Sequence, residues 1–133
     1  MDQPVRVVAA VFVRAGLVLA CRRNADRSAG GRWEFPGGKI ESGETPKSAL
    51  TREISEELAV SIQVGPLLDR STTVVDGRPI ELSCFRVEQF EPDPEHSTDH
   101  DQLQWCRPET LLELDFADPD LPAVRALAGA AES

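Results

Sequence analysis

The chain has 133 residues, 41% of them apolar, and a formal net charge of −9 at pH 7. That length suits a single domain, residues 1–133, able to bury most of the surface its unfolded chain exposes. The negative charge argues against non-specific binding to nucleic acid polymers or anionic membranes. Val5 to Arg14 is dense in Val, Ala and Phe and predicts a buried strand, which Ala15-Gly16 turns back into a second strand, Leu17 to Arg22. Arg6 and Arg14 interrupt that run, so neither a signal peptide nor a membrane span is expected, and a cytoplasmic protein is. Asn24 to Gly31 is a loop by composition, placed to present Arg23 to a phosphate or sugar.

Trp33-Glu34-Phe35-Pro36-Gly37-Gly38 predicts a short strand running into a tight glycine turn. Pro46 to Leu58 then predicts a helix: Thr45 is a natural N-cap, and Pro46 takes the first helical position, where a missing N–H does no harm. Leu50, Ile54 and Leu58 make an i, i+4, i+8 stripe to anchor it to a core. Ser61 to Val64 and Leu67 to Val75 are strand-like, and Asp76-Gly77 is a hairpin signal leading into Arg78 to Phe90. Glu91 to Asp101, broken by Pro92 and Pro94, is a loop; Leu103 to Cys106 is a last strand. Pro108 to Leu114 and Leu121 to Ala130 are helical. The expected class is α/β, a mixed sheet packed between helices.

Three cysteines (Cys21, Cys84 and Cys106) lack any CxxC spacing and are expected to be reduced, buried thiols. His96 and His100 lie four apart but in a proline-broken loop with no cysteine nearby, so no zinc pair is expected. The concentrated chemistry is in Gly38 to Val60. Glu53, Glu56 and Glu57 are spaced i, i+3, i+4, which sets three carboxylates on one helix face. Like charges at that spacing repel, and a hard divalent cation with oxygen-ligand demand, Mg²⁺ or Mn²⁺, would turn the repulsion into a site. The alternative is a solvated acidic face.

This stretch resembles the Nudix box, G-x5-E-x7-R-E-U-x-E-E-x-G-U with U aliphatic. Gly38, Glu44, Arg52, Glu53, Ile54, Glu56, Glu57 and Val60 fall in register, and one position departs, Ala59 standing where the family has its second glycine. Glycine at a helix end favours the left-handed conformation, so Ala59 bears on the helix end and not on the carboxylates. The resemblance implies a Nudix fold, with the sheet sandwiched between helices. It also implies one to three Mg²⁺ or Mn²⁺ ions on Glu53, Glu56, Glu57 and the Gly38 carbonyl. Arg52 cannot be a ligand, having no acceptor, and is expected to fix the rotamer of a neighbouring glutamate. Glu44 is expected to support the ligands from the preceding loop.

MutT-like members of the family draw on a further acid from a downstream loop, for which Asp99 is the candidate and Asp101 the fallback. The run WEFPGGKIESGETP resembles the MutT-like 8-oxo-dGTP enzymes, and LQWCRPETLLELDFADPDLPAV the CTP and 5-methyl-dCTP pyrophosphohydrolases of the same subfamily. An NADH-type SQPWPFPxS array is absent, and there is no tyrosine on which to stack an adenine. Asp115 stands where such enzymes carry an Asn or Asp that reads the base edge, cytosine-like or guanine-like. Phe35 and Phe116 are possible stacking surfaces, and Lys39, beside Gly38, joins Arg23 as a substrate-binding candidate. The implied activity is Mg²⁺-dependent hydrolysis of a nucleoside triphosphate to a monophosphate and pyrophosphate, by a monomer or homodimer. The alternative is a nucleotide-binding Nudix domain without turnover.

Overall fold

The first strand, Val5–Arg14 (β1), is buried on both faces through its middle, and this explains the apolar run between Arg6 and Arg14. In the computed structural model, which describes residues 3–132, Val8, Ala10 and Phe12 belong to one core and Ala9 and Val11 to the other. One edge of β1 pairs in parallel with Arg78–Val87 (β7) from Val5 to Phe12. Two strands share the opposite edge: Gly37–Lys39 (β4) pairs with Val7 to Ala9, and Leu17–Arg23 (β2) with Val13 and Arg14. Where they part, the Ala10 N–H donates to the Pro36 carbonyl at 2.8 Å. Trp33–Glu34 (β3) and His100–Cys106 (β9) flank β2, and Leu67–Val75 (β6) extends the sheet beyond β7. That makes seven strands in this sheet among the described residues, with Ser61–Gln63 (β5) and Gln89–Glu91 (β8) forming a separate pair.

Pro46–Leu58 (α1) covers one face through Ala49, Leu50, Ile54 and Leu58. Leu121–Glu132 (α2) covers the other through Ala123, Val124 and Leu127, with Leu111 of a 3-10 helix at Pro108–Glu113 beside it. The mixed sheet between helices is the architecture expected from the sequence. All three cysteines are free and buried, and burial raises each thiol's pKa. No helix among the described residues is long and apolar enough to cross a membrane.

Several elements differ from the sequence reading by a residue or two at their ends, and three differ by more. The single strand expected from Arg78 to Phe90 is two, because after Val87 the chain leaves β6 and Gln89–Glu91 pairs with β5. The last strand starts at His100, three residues early: its polar start gains antiparallel pairing with Arg22 and Arg23 of β2 across a bulge. The helix expected at Pro108 to Leu114 is a 3-10 helix, Pro108–Glu113.

Both ends of α1 follow local chemistry. Thr45 Oγ1 accepts the Ser48 N–H at 3.1 Å while Ser48 Oγ accepts the Thr45 N–H at 2.9 Å, a reciprocal cap. At the other end Ala59 is left-handed, with φ 56° and ψ 38°, and its N–H donates to the Ser55 carbonyl at 3.1 Å. An L-residue with a Cβ pays roughly 1–2 kcal/mol there. Ala59 is exposed, so Ala59→Gly disturbs no packing and is expected to stabilise the protein by about 1 kcal/mol after glycine's own entropy cost. Thermal unfolding of the two proteins checks this; an unchanged or lower Tm would show that the turn strain is relieved elsewhere.

Candidate active site

The three box carboxylates do not share one environment. Glu57 follows Leu50 and Ile54 by seven and three residues, so it lies on the buried stripe and its side chain is only 4% exposed. Glu56 points outward at 60% exposure, and Glu53 lies between them at 19%. Glu53 packs on β4, which takes the place of the glycine turn expected there: any side chain at Gly38 would overlap its carboxyl, and one at Gly37 would overlap the Val8 carbonyl oxygen. Glycine at both positions lets β4 meet β1 on one side and the helix carboxylate on the other.

Arg52 gathers the outer carboxylates. Its Nε and Nη2 donate to the two oxygens of Glu44 at 2.7 and 2.9 Å, its Nη1 to Glu53 at 2.9 Å and Glu56 at 3.2 Å, and its Nη2 also to the Lys39 carbonyl at 3.2 Å. Glu44 Oε1 in turn accepts the Glu41 N–H at 2.9 Å. The Arg52 hydrogen bonds, with the Glu41 amide second, hold the Glu44 carboxyl down at about 2. For Glu53, burial outweighs Arg52 and its pKa is raised.

Glu57 faces inward without a cation. Its Oε1 is buried and has no hydrogen-bond partner. Burial first, then the charges of Asp99, Glu34 and Glu53, push the carboxyl up to about 9. The Thr98 N–H donates to the Glu57 carbonyl at 3.1 Å and ties the downstream loop to the helix end. Asp99 is the loop acid acting on Glu57 and Glu53, and it pairs with Arg27 at 3.0 Å. Asp101 instead pairs with Arg22 at 2.7 Å.

Two residues to which the sequence reading gave no role in the site complete this inner cluster. His100, its side chain fully buried, has Nε2 at 2.9 Å from Glu34 Oε2 and Nδ1 at 2.7 Å from Ser97 Oγ, with Glu57 Oε1 4.0 Å away. Glu34 Oε2 also accepts from Arg23 Nη1 at 3.1 Å. The wider pattern of strand pairing was the missing signal: His100 sits opposite Arg23 only once β9 is paired to β2.

Beside the carboxylates lies a cavity of about 320 Å³. Val7, Phe35, Val75, Ile80 and Leu82 form its apolar wall, and Arg23, Arg32, Glu34, Asp118 and Asp120 supply its charges, with Gly37 and Gly38 at one side. Asp120 is buried, accepts the Phe35 N–H through Oδ2 at 2.9 Å, and is pushed up to about 8 by burial. Asp115, the sequence candidate for the base edge, is 77% exposed, pairs with Arg32 at 3.3 Å and is not among the residues lining the cavity. The reason is a parallel bridge between Trp33 and Phe116, in which the Asp115 carbonyl accepts the Trp33 N–H. That fixes the backbone at Asp115, and the following 3-10 turn, Asp118–Asp120, carries Asp120 inward instead. Phe35 lines the cavity and packs on Phe116 at 5.3 Å, while Phe116 is core. Lys39 is exposed and is not in the lining; its carbonyl serves Arg52.

Residues 2–127 match the NUDIX domain. The chain belongs to the Nudix family. It is 37% identical over 126 residues to the CTP pyrophosphohydrolase of Escherichia coli (strain K12), covering 92% of this chain and 90% of that one. It is 41% identical over 73 residues to the 8-oxo-dGTP diphosphatase of Proteus vulgaris, covering 55% of this chain and 65% of that one. The solution structure of the E. coli ORF135 protein superposes with a TM-score of 0.86 at 35% identity, covering 97% and 91% of the two chains. The chain is thus a MutT-like Nudix hydrolase.

Nudix hydrolases generally work with a divalent cation. Among the described residues no three His, Cys, Asp or Glu side chains already stand at ligand separation, and Arg52 holds Glu53 and Glu56 to itself. The donor set still fits a hard cation: all-oxygen, with an orphaned buried Glu57 Oε1 and three further acids raising its pKa. Without metal, the folded protein keeps the Glu57 proton up to about pH 9, while an unfolded Glu releases it near 4.5. Between those values the folded state binds the extra proton, so metal-free stability falls as pH rises. In chelator, Glu57→Gln is expected to raise Tm above wild type at about pH 8 and to converge with it below about pH 4.5. A variant less stable than wild type at the higher pH would mean that the Glu57 carboxylate has a stabilising partner.

Proposed function

We propose that this Nudix hydrolase is a Mg²⁺-dependent nucleoside triphosphate pyrophosphohydrolase that releases a nucleoside monophosphate and pyrophosphate. Cytosine nucleotides (CTP, dCTP, 5-methyl-dCTP) are its first substrates and 8-oxo-dGTP its second. One observation carries the reading: Gly38 lines the cavity on one side and meets the Glu53 carboxyl on the other. A nucleotide whose base fills the cavity therefore runs its phosphates past Gly38 onto the carboxylate face of α1. The order of substrates follows coverage, since the CTP pyrophosphohydrolase aligns with 92% of the chain and the 8-oxo-dGTP diphosphatase with 55%.

The Gly38 carbonyl, Glu53, Glu56, Glu57 and Asp99 would hold the cation, and Arg52 and Glu44 set the carboxylate rotamers. Bound there, Mg²⁺ supplies charge neutralisation and Lewis acidity for the phosphoanhydride. Arg23, at the cavity edge and already oriented by Glu34, takes a phosphate oxygen. Phe35 and the apolar wall exclude water around the base.

Asp120 reads the base edge. Protonated, its carboxyl offers a donor beside an acceptor and matches cytosine N3 and N4–H; ionised, it matches two adjacent donors, as on guanine N1–H and N2–H. With the carboxyl near 8, the protonated form dominates at neutral pH. The ratio of kcat/KM for CTP over dGTP-type substrates is accordingly expected to fall as pH rises through about 8.

A kcat/KM panel over CTP, dCTP, 5-methyl-dCTP, dGTP and 8-oxo-dGTP, with and without Mg²⁺, tests the whole reading. Glu53→Gln is expected to abolish most turnover while the protein stays folded. Asp120→Ala should cost the best substrate about ten- to a hundredfold in kcat/KM and poor ones far less. Asp115→Ala should leave the ratios alone. Binding of nucleotides without turnover in any condition would make the chain a binding module instead.

A further inference from the structure

His100 does not line the cavity, and its side chain is fully buried. It nonetheless stands in a chain of hydrogen bonds joining both sides of the site. An ionised carboxylate only accepts, so His100 Nε2–H donates to Glu34 Oε2, the oxygen that also receives Arg23 Nη1. Ser97 Oγ already accepts the Asp99 N–H at 3.2 Å, which leaves the hydroxyl proton for His100 Nδ1. The Asp99 carbonyl then accepts the Asn24 N–H at 3.1 Å, closing the loop back onto the end of β2. The order is consistent in direction: Asp99 N–H to Ser97, Ser97 O–H to His100, His100 N–H to Glu34.

We propose that His100 is a positioning residue with two separable arms, one aiming Arg23 through Glu34 and the other holding the Asp99 loop through Ser97. The proposal rests on the hydrolase reading for what Arg23 and Asp99 do, but the two arms themselves are features of the free protein. Fixing each side chain by buried bonds removes the freedom that substrate or cation would otherwise have to freeze out. The imidazole suits this because its two nitrogens face opposite partners at once.

Two substitutions split the arms. A Gln amide reaches the Nε2 position and an Asn amide the Nδ1 position. His100→Gln keeps the Glu34 arm, so KM is expected within about twofold of wild type while kcat falls about tenfold. His100→Asn keeps the Ser97 arm, so kcat is expected near wild type while KM rises about tenfold. An activity-independent readout accompanies these: hydrogen exchange of the metal-free proteins should show the Asn24 and Asp99 amides losing protection in His100→Gln and keeping it in His100→Asn. Exchange that changes equally in both variants, or in neither, overturns the proposal. So does a lowered Tm with unchanged kinetics in the folded fraction, the mark of a purely core role. If the wild type turns over no nucleoside triphosphate, the proposed function fails, and the exchange data alone still decide whether His100 holds the Asp99 loop.

Discussion

The guanidinium of Arg52 is the interaction on which the site's geometry depends. Three carboxylates at helical spacing, with a fourth in the preceding loop, would scatter their rotamers to separate their charges. Arg52 reaches Glu44, Glu53, Glu56 and the Lys39 carbonyl, so one planar cation ties α1, the loop before it and β4 into a unit. A lysine, as a point charge with three donors, has no equivalent of the fork on Glu44. The consequence is a face with two differently balanced halves. Outside, Arg52 neutralises the glutamates and holds Glu44 ionised; inside, Glu57 is out of its reach and responds to burial by holding its proton.

That division explains what the sequence made legible. Short-range chemistry was readable: the Thr45 cap, Pro46 at the helix start, and the Asp76-Gly77 turn with φ 51° and 78°. The placing of Glu53, Glu56 and Glu57 on one helix followed from spacing, while their expected role rested on the resemblance. Their unequal burial was also latent in the spacing, since Glu57 shares a stripe with Leu50 and Ile54. The sequence reading grouped it with Glu53 and Glu56 because charge was weighed before periodicity.

Three features of the structure depend on contacts between distant segments. Asp115 and Asp120 are five apart in one acidic run, and nothing local separates them. The choice is made by the Trp33–Phe116 bridge and the Phe35 N–H, which lie more than eighty residues away. His100 looked like part of a solvated loop because its neighbours are polar; antiparallel pairing with β2 turns it inward. The break between β7 and β8 is of the same kind, set by pairing with β5 and invisible in the run from Arg78 to Phe90.

Arg23 and Arg32 flank the loop from Asn24 to Gly31 and Arg27 lies within it, and each is already paired: with Glu34, with Asp115 and Asp118, and with Asp99 respectively. In a chain of net charge −9, a triphosphate arriving alone meets cations whose charge is spent and an acidic helix face. Partly exposed ion pairs such as Arg27–Asp99 are worth only about 0–1 kcal/mol, so exchanging Asp99 for a phosphate on Arg27 would cost little. The exchange also releases a carboxylate, and Asp99 set free from Arg27 adds to the charges around Glu57 and Glu53. A divalent cation would relieve both difficulties together, with Asp99 among the oxygen donors to hold it and its charge offsetting that of the phosphates. Nucleotide and cation should therefore bind with positive coupling, each weak alone, because the Arg27–Asp99 pair stands in the way of both.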